Sequence, residues 1–380
     1  MPDTSSFIYF DHNATTPIDP RVLEYMYPYF SEQFGNAASI TYPLGLNAKN
    51  AVDKARKHIA NLINCLDQEI TFTSGATESM NTAIKGIFWR YQTKGQHFLS
   101  LPSEHSAVMD TLEWVKSQGA EVTFLKIDRD GLIDLEDLKN NIRTDTVAVI
   151  AMLANNETGV IQPIQQIAEI VHKNNSLLIC DATQAVSKTK VDVQDLGIDV
   201  LALSAHKMYG PKGVGALYLR RRGPRVSIAP LIHGGGHERG HRSGTLNVPG
   251  IIGLGKAAEL APSFINSYQN EVLPIRQFIE AELTQNKIAT INAQNASRLA
   301  NTINAELIDI RAETVIKKVQ NRIGISTGSA CSASDPKPSH VLLAMGRSEQ
   351  QAQRTIRISL GVGNTIKEAK VLINLLKEIQ

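Results

Sequence analysis

The sequence predicts an α/β protein with a mostly parallel, doubly wound sheet and a smaller α+β domain. Short apolar strands alternate with amphipathic helices from about Gln68 to Leu219. Polar motifs follow successive strands, and beyond about Gly255 the pattern changes to helices with few strands. Because such sheets bind ligands outside the carboxyl ends of their strands, these motifs mark the expected site.

The alternation can be followed along the chain. The first strand covers Ile70–Thr73, and SGATESMNTAIKGIFW then reads as a helix with one apolar face. HFLSL, EVTFL and TVAVIAML are predicted strands, separated by a helix through Leu112 and Val115 and one over DLEDLKNNI. IQQIAEIVHK is the next helix, and LLIC, VLAL and VGALYL supply three more strands.

We assign residues 16–255 to the larger domain and residues 1–15 with 256–380 to the smaller one. The smaller domain includes a predicted helix over Glu271–Leu283. It also holds the segments GISTGSACSAS and RTIRISLG.

Composition excludes several classes of protein. The 380 residues are 42% hydrophobic and 20% charged, which is ordinary for a globular chain, and the net charge is +2. No basic tract is interleaved with aromatic residues, so we expect no direct nucleic-acid binding. No apolar run approaches the roughly 20 residues of a membrane helix, and the amino terminus does not resemble a signal peptide. Three cysteines indicate a reducing compartment, so we expect a cytoplasmic protein.

One run places a lysine where chemistry can use it. The apolar strand VLAL leads into Ser204, His206 and Lys207, and Gly210 and Pro211 forbid a following helix. An amine desolvated in an apolar frame has a lowered pKa and becomes nucleophilic enough to form a Schiff base. The alternative is a surface lysine in a strand turn.

Other strand ends carry complementary groups. Ser74–Glu78 offers free backbone N–H groups for an anion, or an ordinary helix cap. Asp181 follows LLIC and suits a protonated ring nitrogen, as in pyridoxal phosphate (PLP) enzymes. His105 can stack on such a ring and transfer protons, or it can have a structural role alone. Asn155 and Gln184 can hydrogen-bond the phenolic oxygen of the ring.

Two residues of the carboxyl-terminal part complete the set. Cys331 lies among Gly, Ser, Ala, Asp and Pro residues that predict a long mobile loop, whereas Cys65 and Cys180 are expected in or near the core. A free thiol is partly thiolate at neutral pH, so Cys331 is either a nucleophile or a plain loop residue. Arg357 suits a substrate carboxylate or a structural ion pair.

Three competing motifs fail on their context. Ser204-Ala-His-Lys207 fits the S-x-x-K pattern of acyl-serine enzymes, but Gly210-Pro211 blocks the helix that this pattern needs. The glycines of GPKGVG precede a strand, whereas a dinucleotide loop follows one. His233, His237 and His241 recur every four residues, a spacing that would place them on one face of a helix and suit a metal ion. The three glycines Gly234–Gly236 disfavour a helix there, so no metal site is predicted.

From Tyr9 to about Gly363 the chain resembles the cysteine desulfurases, which are fold-type-I PLP enzymes of the class V aminotransferase group. It resembles the branch with a long cysteine loop. The motifs that carry the resemblance are DHNATTP, FGNAAS, FTSGATES, EHSAV, NNETG, DATQA, SAHKMYGPKGVG, GGGHERGHRSGTLN, STGSACSAS with PSHVLLAMG, and RISLG.

The resemblance implies a role for each strand-end residue. Lys207 would hold PLP covalently and later act as the proton-transfer base. Asp181 would pair with the pyridinium and His105 would stack on the ring, while Asn155 and Gln184 would contact its substituents. The phosphate would be bound by Ala76, Thr77, Ser204 and His206.

The resemblance also implies substrate and partners. Arg357, helped by Asn155, would anchor the carboxylate of L-cysteine. Cys331 would take the sulfur as a persulfide, release L-alanine and pass the sulfur to a protein acceptor. Thr245 would reach the phosphate bound by a neighbouring subunit, which implies a homodimer.

His12, Ala37 and Tyr42 depart from the family pattern at the rim of the site. They leave the acceptor open between iron–sulfur cluster assembly, tRNA thiolation and DNA phosphorothioation. The alternative activities are a PLP-dependent selenocysteine lyase or transaminase, and a catalytically inactive scaffold for sulfur transfer.

Overall fold

A computed structural model of the protein describes residues 7–327 and 338–379. The strands are β1 (Ile8–Tyr9), β2 (Ile70–Thr73), β3 (His97–Ser100), β4 (Glu121–Phe124), β5 (Thr146–Ile150), β6 (Leu177–Asp181), β7 (Val200–Ser204), β8 (Gly215–Leu219), β9 (Ala289–Ile291), β10 (Thr302–Leu307), β11 (Ile323–Gly324) and β12 (Thr355–Ser359).

The α-helices are α1 (Pro20–Met26), α2 (Pro28–Ser31), α3 (Pro43–Ile63), α4 (Ala76–Arg90), α5 (Ser106–Ser117), α6 (Leu135–Asn141), α7 (Ile164–Lys173), α8 (Val248–Ser267), α9 (Leu273–Gln285), α10 (Ala312–Val319), α11 (His340–Ala344), α12 (Glu349–Gln353) and α13 (Ile366–Ile379). Short 3-10 turns cover Asp67–Glu69, Ala205–Lys207 and Glu238–Gly240, and a π-helical turn covers Tyr268–Val272.

The central sheet has seven strands in the order β2-β8-β7-β6-β5-β3-β4. Strand β8 runs antiparallel to both of its neighbours, and every other pair in this sheet is parallel. Strands β5 to β8 are buried along their whole length, as expected for a sheet covered by helices on both faces. The predicted mostly parallel α/β fold is confirmed.

A separate three-stranded antiparallel sheet, β12-β10-β9, lies in the carboxyl-terminal part of the chain. It belongs to a hydrophobic cluster of its own, which includes Phe264, Ile279, Ile303, Ile356 and Leu372. Two other clusters cover the faces of the large sheet. This clustering is compatible with the assigned domains, whose boundaries stay a prediction.

The predicted helix over Glu271–Leu283 is helical throughout, but the α-helix itself covers Leu273–Gln285. Its first residues belong to the π-helical turn Tyr268–Val272, and α9 follows with Pro274 in its first turn. Proline has no backbone N–H, so it fits the start of a helix but cannot donate within one.

An extended amino-terminal segment connects the two sheets. Strand β1 pairs with β11, and the backbone N–H of His12 donates to the carbonyl of Ser359 on β12. Further along, the N–H of Thr16 donates to the carbonyl of His206, next to the large sheet. Asn13 therefore lies between the two sheets, close to the ends of β6 and β7. No helix within the described ranges is long and apolar enough to span a membrane.

Candidate active site

A cavity of about 540 Å³ opens at the carboxyl ends of the parallel strands, and this is a typical size for a small-molecule site. Residues that follow five different strands line it, together with the segment Asn13–Thr15. Nine residues that the sequence predicts for the site are among its walls: Ala76, Thr77, His105, Asp181, Gln184, Ser204, His206, Lys207 and Arg357.

Lys207 ends a 3-10 turn directly after β7. Its Nζ donates to the carbonyl oxygens of Asn13, at 2.5 Å, and Ala14, at 2.7 Å. Burial, followed by the charge of Arg357, lowers the pKa of this amine to about 8. About one tenth of the amine is therefore neutral at pH 7 and about half at pH 8. The alternative of a surface lysine in a strand turn is wrong, because this side chain lines the cavity.

Asp181 and His105 lie on the same cavity. Asp181 is buried at the end of β6, with 6% of the residue exposed, and its carboxylate accepts from the N–H of Thr183 at 2.9 Å. His105 caps α5, where its Nδ1 accepts from the N–H of Ala107 at 3.1 Å. That bond requires an unprotonated Nδ1, and burial lowers the pKa of His105, so a neutral ring with its proton on Nε2 results.

The start of α4 forms one end of the cavity. Gly75 precedes the helix with φ +154° and ψ −177°, a conformation that other residues rarely adopt. A Cβ added to Gly75 would lie 3.8 Å from Ser204 Oγ, so the missing side chain leaves space between the helix and β7. The free N–H groups of a 15-residue helix face this space. An anion is the ligand that it suits.

His206 and Glu78 affect the net charge at the end of the cavity beside the start of α4. Burial, with Lys207 and Lys212, lowers the pKa of His206 to about 4, so its ring is neutral and shares a 3.2 Å hydrogen bond with Thr15 Oγ1. Glu78 pairs with Arg242 at 2.8 Å, which offsets the negative charge of its carboxylate beside the anion space.

Asn155 does not line the cavity, contrary to prediction, and Asn156 does. The Asn155 side chain is used inside its own loop: Oδ1 accepts from the N–H groups of Glu157 and Thr158, and Nδ2 donates to the carbonyl of Ser103. A fully engaged amide holds the loop rather than a ligand. The roles expected of Asn155, toward the ring and the carboxylate, pass to Asn156 as a proposal.

The sequence left Arg357 open between a structural ion pair and binding of a substrate carboxylate, and the structure is compatible with both. It lies on β12, is only 2% exposed, and pairs through Nη2 with Asp11 Oδ1 at 2.7 Å. Its Nη1 donates to the carbonyl of Asn156 at 3.1 Å. The guanidinium also lines the cavity, so the ion pair with Asp11 fixes a cation where an acidic ligand can meet it.

Two further predicted residues, Thr245 and Cys331, are not among the described residues of these walls. Thr245 is exposed and is absent from the cavity lining. Cys331 lies outside the described residues. The segments that flank it are attached next to the site: Ser326 pairs through its backbone with Arg357, and Ser339 Oγ donates to Glu157 Oε2 at 2.6 Å.

Cys180 is buried and Cys65 is half-buried, as predicted, and burial raises the pKa of both thiols. Both are therefore poor nucleophiles at neutral pH. In residues 7–327 and 338–379, no cluster of three or more His, Cys, Asp or Glu side chains is arranged to hold a metal ion.

Sequence reasoning missed several residues of the cavity. Asn13 holds Lys207 through its backbone carbonyl, and Thr183 has a buried hydroxyl without a hydrogen-bond partner in the described part of the chain. Asn156 lay one residue from the predicted position. Asn13 and Thr183 stand inside the quoted motifs DHNATTP and DATQA, so attention to every polar residue of those motifs was the available signal.

The sequence matches the class-V aminotransferase family over residues 8–372. The chain belongs to this family. It is 46% identical to the cysteine desulfurase IscS of Anaeromyxobacter sp. (strain Fw109-5), over 98% of this chain and 92% of that protein.

Two solved structures are similar over nearly the whole chain. A NifS-like protein superposes with a TM-score of 0.91 at 37% identity, covering 98% of this chain and 99% of the other. SspA in complex with cysteine superposes with a TM-score of 0.82 at 37% identity, covering 94% of this chain and 100% of the other.

Proposed function

We propose that this protein is a PLP-dependent cysteine desulfurase, which converts L-cysteine to L-alanine and an enzyme-bound persulfide. The observation that carries the proposal is the arrangement of Lys207, Asp181 and His105 around one cavity that ends at the start of α4. The identity to a cysteine desulfurase and the similarity to a cysteine-bound structure support the same activity.

The cavity fits PLP at three points. The space beside Gly75 suits the phosphate, with Ala76, Thr77, Ser204 and His206 around it. The buried carboxylate of Asp181 suits a protonated ring nitrogen, and the unpartnered hydroxyl of Thr183 offers a further hydrogen bond. His105 would lie against the ring, and Gln184 and Asn156 would meet its polar substituents. When bound, PLP supplies an electron-withdrawing ring that favours loss of protons and groups from an attached amino acid.

Lys207 would provide the covalent attachment and then the proton transfers. Because its pKa is about 8, its Nζ can both release and accept a proton near neutral pH. The two carbonyl oxygens of Asn13 and Ala14 hold that nitrogen at the cavity wall. Arg357 would bind the carboxylate of the substrate, with the ion pair to Asp11 keeping its guanidinium in place.

Cys331 would act as the sulfur acceptor within the enzyme. Its thiolate would attack the sulfur of the bound cysteine and form an S–S bond, while the carbon–sulfur bond breaks. The electron pair of that bond would stay on the substrate carbon, which takes up a proton and leaves as alanine. The terminal sulfur of the persulfide would then pass to the thiol of an acceptor protein.

We also propose a cytoplasmic homodimer with Thr245 shared between subunits. Tyr27, Phe30 and Phe34 are each more than 60% exposed, and an apolar surface of this kind is usually covered by a partner. Thr245 is exposed, as a residue that serves a neighbouring site must be before assembly. The assigned domains and the cytoplasmic location, which rests on the three cysteines, remain part of the proposal.

Two variants test the chemistry. Lys207→Ala should abolish the visible absorbance that PLP acquires when bound to lysine; unchanged colour would end the cofactor proposal. Cys331→Ser should keep that colour and lose alanine production from cysteine. Cys65→Ser is the matched control, because Cys65 does not line the cavity, and it should retain both properties.

If Cys331→Ser still desulfurates at the full rate, Cys331 is only a loop residue. Alanine release from selenocysteine and other amino acids, measured with the unaltered protein, separates a desulfurase from a lyase or transaminase of another substrate. Protein that stays colourless after PLP is added would support the inactive scaffold.

A further inference from the structure

Lys188 is a buried lysine that the proposed chemistry does not use. It lies seven residues after the end of β6, is 1% exposed, and does not line the cavity. Its Nζ donates to Gln184 Oε1 at 2.6 Å and to Asn13 Oδ1 at 3.1 Å. Both acceptors are amide oxygens, and none of the ion pairs within residues 7–327 and 338–379 includes Lys188. A lysine buried in this way is rare, because taking an unpaired ammonium out of water is costly.

The surroundings of Lys188 favour its neutral form. Burial, and then the charges of Lys207 and Arg357, hold the pKa of Lys188 well below its usual range. The ring of His12 is also close, and the charge of Lys188 contributes to the lowered pKa of that histidine. A neutral amine has two N–H donors, and the two side-chain oxygens at hydrogen-bond distance match them in number.

The two hydrogen bonds decide which way the amide of Gln184 faces. With Oε1 bound to Lys188, Nε2 faces Asn13 and donates to its backbone carbonyl at 2.9 Å. If the amide were turned over, Nε2 would meet the N–H of Lys188 and Oε1 would meet the carbonyl of Asn13. The first contact would leave an N–H of Lys188 without an acceptor and the second would be repulsive, so Lys188 and the carbonyl of Asn13 together favour one orientation of the amide.

The same carbonyl of Asn13 accepts from Lys207 Nζ at 2.5 Å. The side chain of Asn13 is held at both ends, since Oδ1 accepts from Lys188 and from Asn301 Nδ2 at 3.0 Å, and Nδ2 donates to Thr302 Oγ1 at 2.9 Å. Lys188 is thus connected to Lys207 by two short routes, both through Asn13.

We propose that Lys188 is a positioning residue, which orients the amide of Gln184 toward the cavity and fixes Asn13 as the holder of Lys207. It acts behind the cavity wall and touches neither cofactor nor substrate. The inference rests on the proposed function, because the cavity side of Gln184 matters only when PLP is bound there.

The test is the affinity of the cofactor-free protein for PLP, followed by the absorbance of the bound cofactor. Lys188→Met has a similar length and removes both hydrogen bonds. It should weaken PLP binding about tenfold or more, since Gln184 Oε1 and Asn13 Oδ1 each lose a donor and a single hydrogen bond, to the carbonyl of Asn13, is left to hold the amide. His97→Met is the matched control: His97 is equally buried, also has two side-chain hydrogen bonds, and lies at the start of β3, away from the cavity. It should lose thermal stability and keep the affinity.

A double-mutant cycle separates positioning from a general structural role. In a Gln184→Met background, Lys188→Met should reduce the affinity by a clearly smaller factor than in the unaltered protein, because only its hydrogen bond to Asn13 Oδ1 is left to lose. Equal losses in both backgrounds, or an unchanged affinity for folded Lys188→Met, would overturn the proposal. If Lys188→Met does not fold, Lys188→Gln keeps a donor and takes its place, with an affinity expected between the two. Failure of the unaltered protein to bind PLP would instead overturn the proposed function.

Discussion

Lys207 should make the cofactor-free protein less stable below pH 8 than above it. Folding lowers the pKa of this amine from an ordinary 10.5 to about 8, so the folded state disfavours the protonated form. Between these two values the unfolded chain binds a proton that the folded chain does not, so stability rises with pH. Below pH 8 the full penalty applies, and it amounts to about 3 kcal/mol.

Removing the amine should remove this penalty. Relative to the unaltered protein, cofactor-free Lys207→Met should gain about 4 °C in Tm at pH 7 compared with pH 10.5, if the penalty is divided by the unfolding entropy of a chain of this size; the two hydrogen bonds that the variant loses lower its Tm at both pH values. This relative gain should fall steadily between pH 8 and pH 10.5, and comparison of the two proteins at each pH cancels the titration of all other groups. Thermal unfolding in matched buffers from pH 7 to 10.5 measures it. If the difference in Tm between the two proteins stays constant from pH 7 to 10.5, the assignment of a lowered pKa to Lys207 is refuted.

Three further predictions concern the cavity walls. Gly75→Ala should lower the free energy of unfolding by about 1–3 kcal/mol and also weaken PLP binding. Gly119→Ala, at φ +101° with nothing near its added Cβ, should lower only the free energy of unfolding. Equal PLP affinities in titrations of the two variants would contradict phosphate binding beside Gly75. Arg357→Lys should raise the KM for cysteine about tenfold with a smaller change in kcat, because an ammonium cannot replace two parallel guanidinium hydrogen bonds; steady-state kinetics test this, and an unchanged KM would leave only the ion pair with Asp11. Asn156→Ala should weaken PLP binding in a folded protein, while Asn155→Ala should lower stability by about 1–3 kcal/mol through its lost loop bonds; calorimetry and PLP titration decide between them, and the reverse pattern would restore the original assignment to Asn155.

The sequence predicted the frame of the molecule because its signals are local. Strands such as Val200–Ser204 are short apolar runs, and the residues after them must meet at one edge of a parallel sheet. This rule brought Asp181 and Lys207 together without any knowledge of distances. The antiparallel direction of β8 was not predicted, since pairing direction depends on neighbours and not on the strand itself.

The parts that sequence did not predict depend on contacts between distant residues. Asn155 and Asn156 have the same chemistry, and only the turn of their loop decides which amide enters the cavity. Lys188 lies in a turn after β6, and its buried side chain is bound by Gln184 and by Asn13 of the amino-terminal segment. Asn13 binds partners that are more than 140 residues away along the chain, and no local sequence pattern indicates such contacts.

The position of Asn13 also has a consequence for the order of events during biosynthesis. Its side chain is anchored to Asn301 and Thr302, and its N–H donates to the hydroxyl of Ser359. A nascent chain that ends after the large sheet already contains Lys207, whose amine binds the carbonyl of Asn13. It still lacks the carboxyl-terminal residues that hold Asn13 in place. We therefore expect PLP to bind only after the last strands have been synthesised, so that the incomplete chain reacts less readily with free aldehydes.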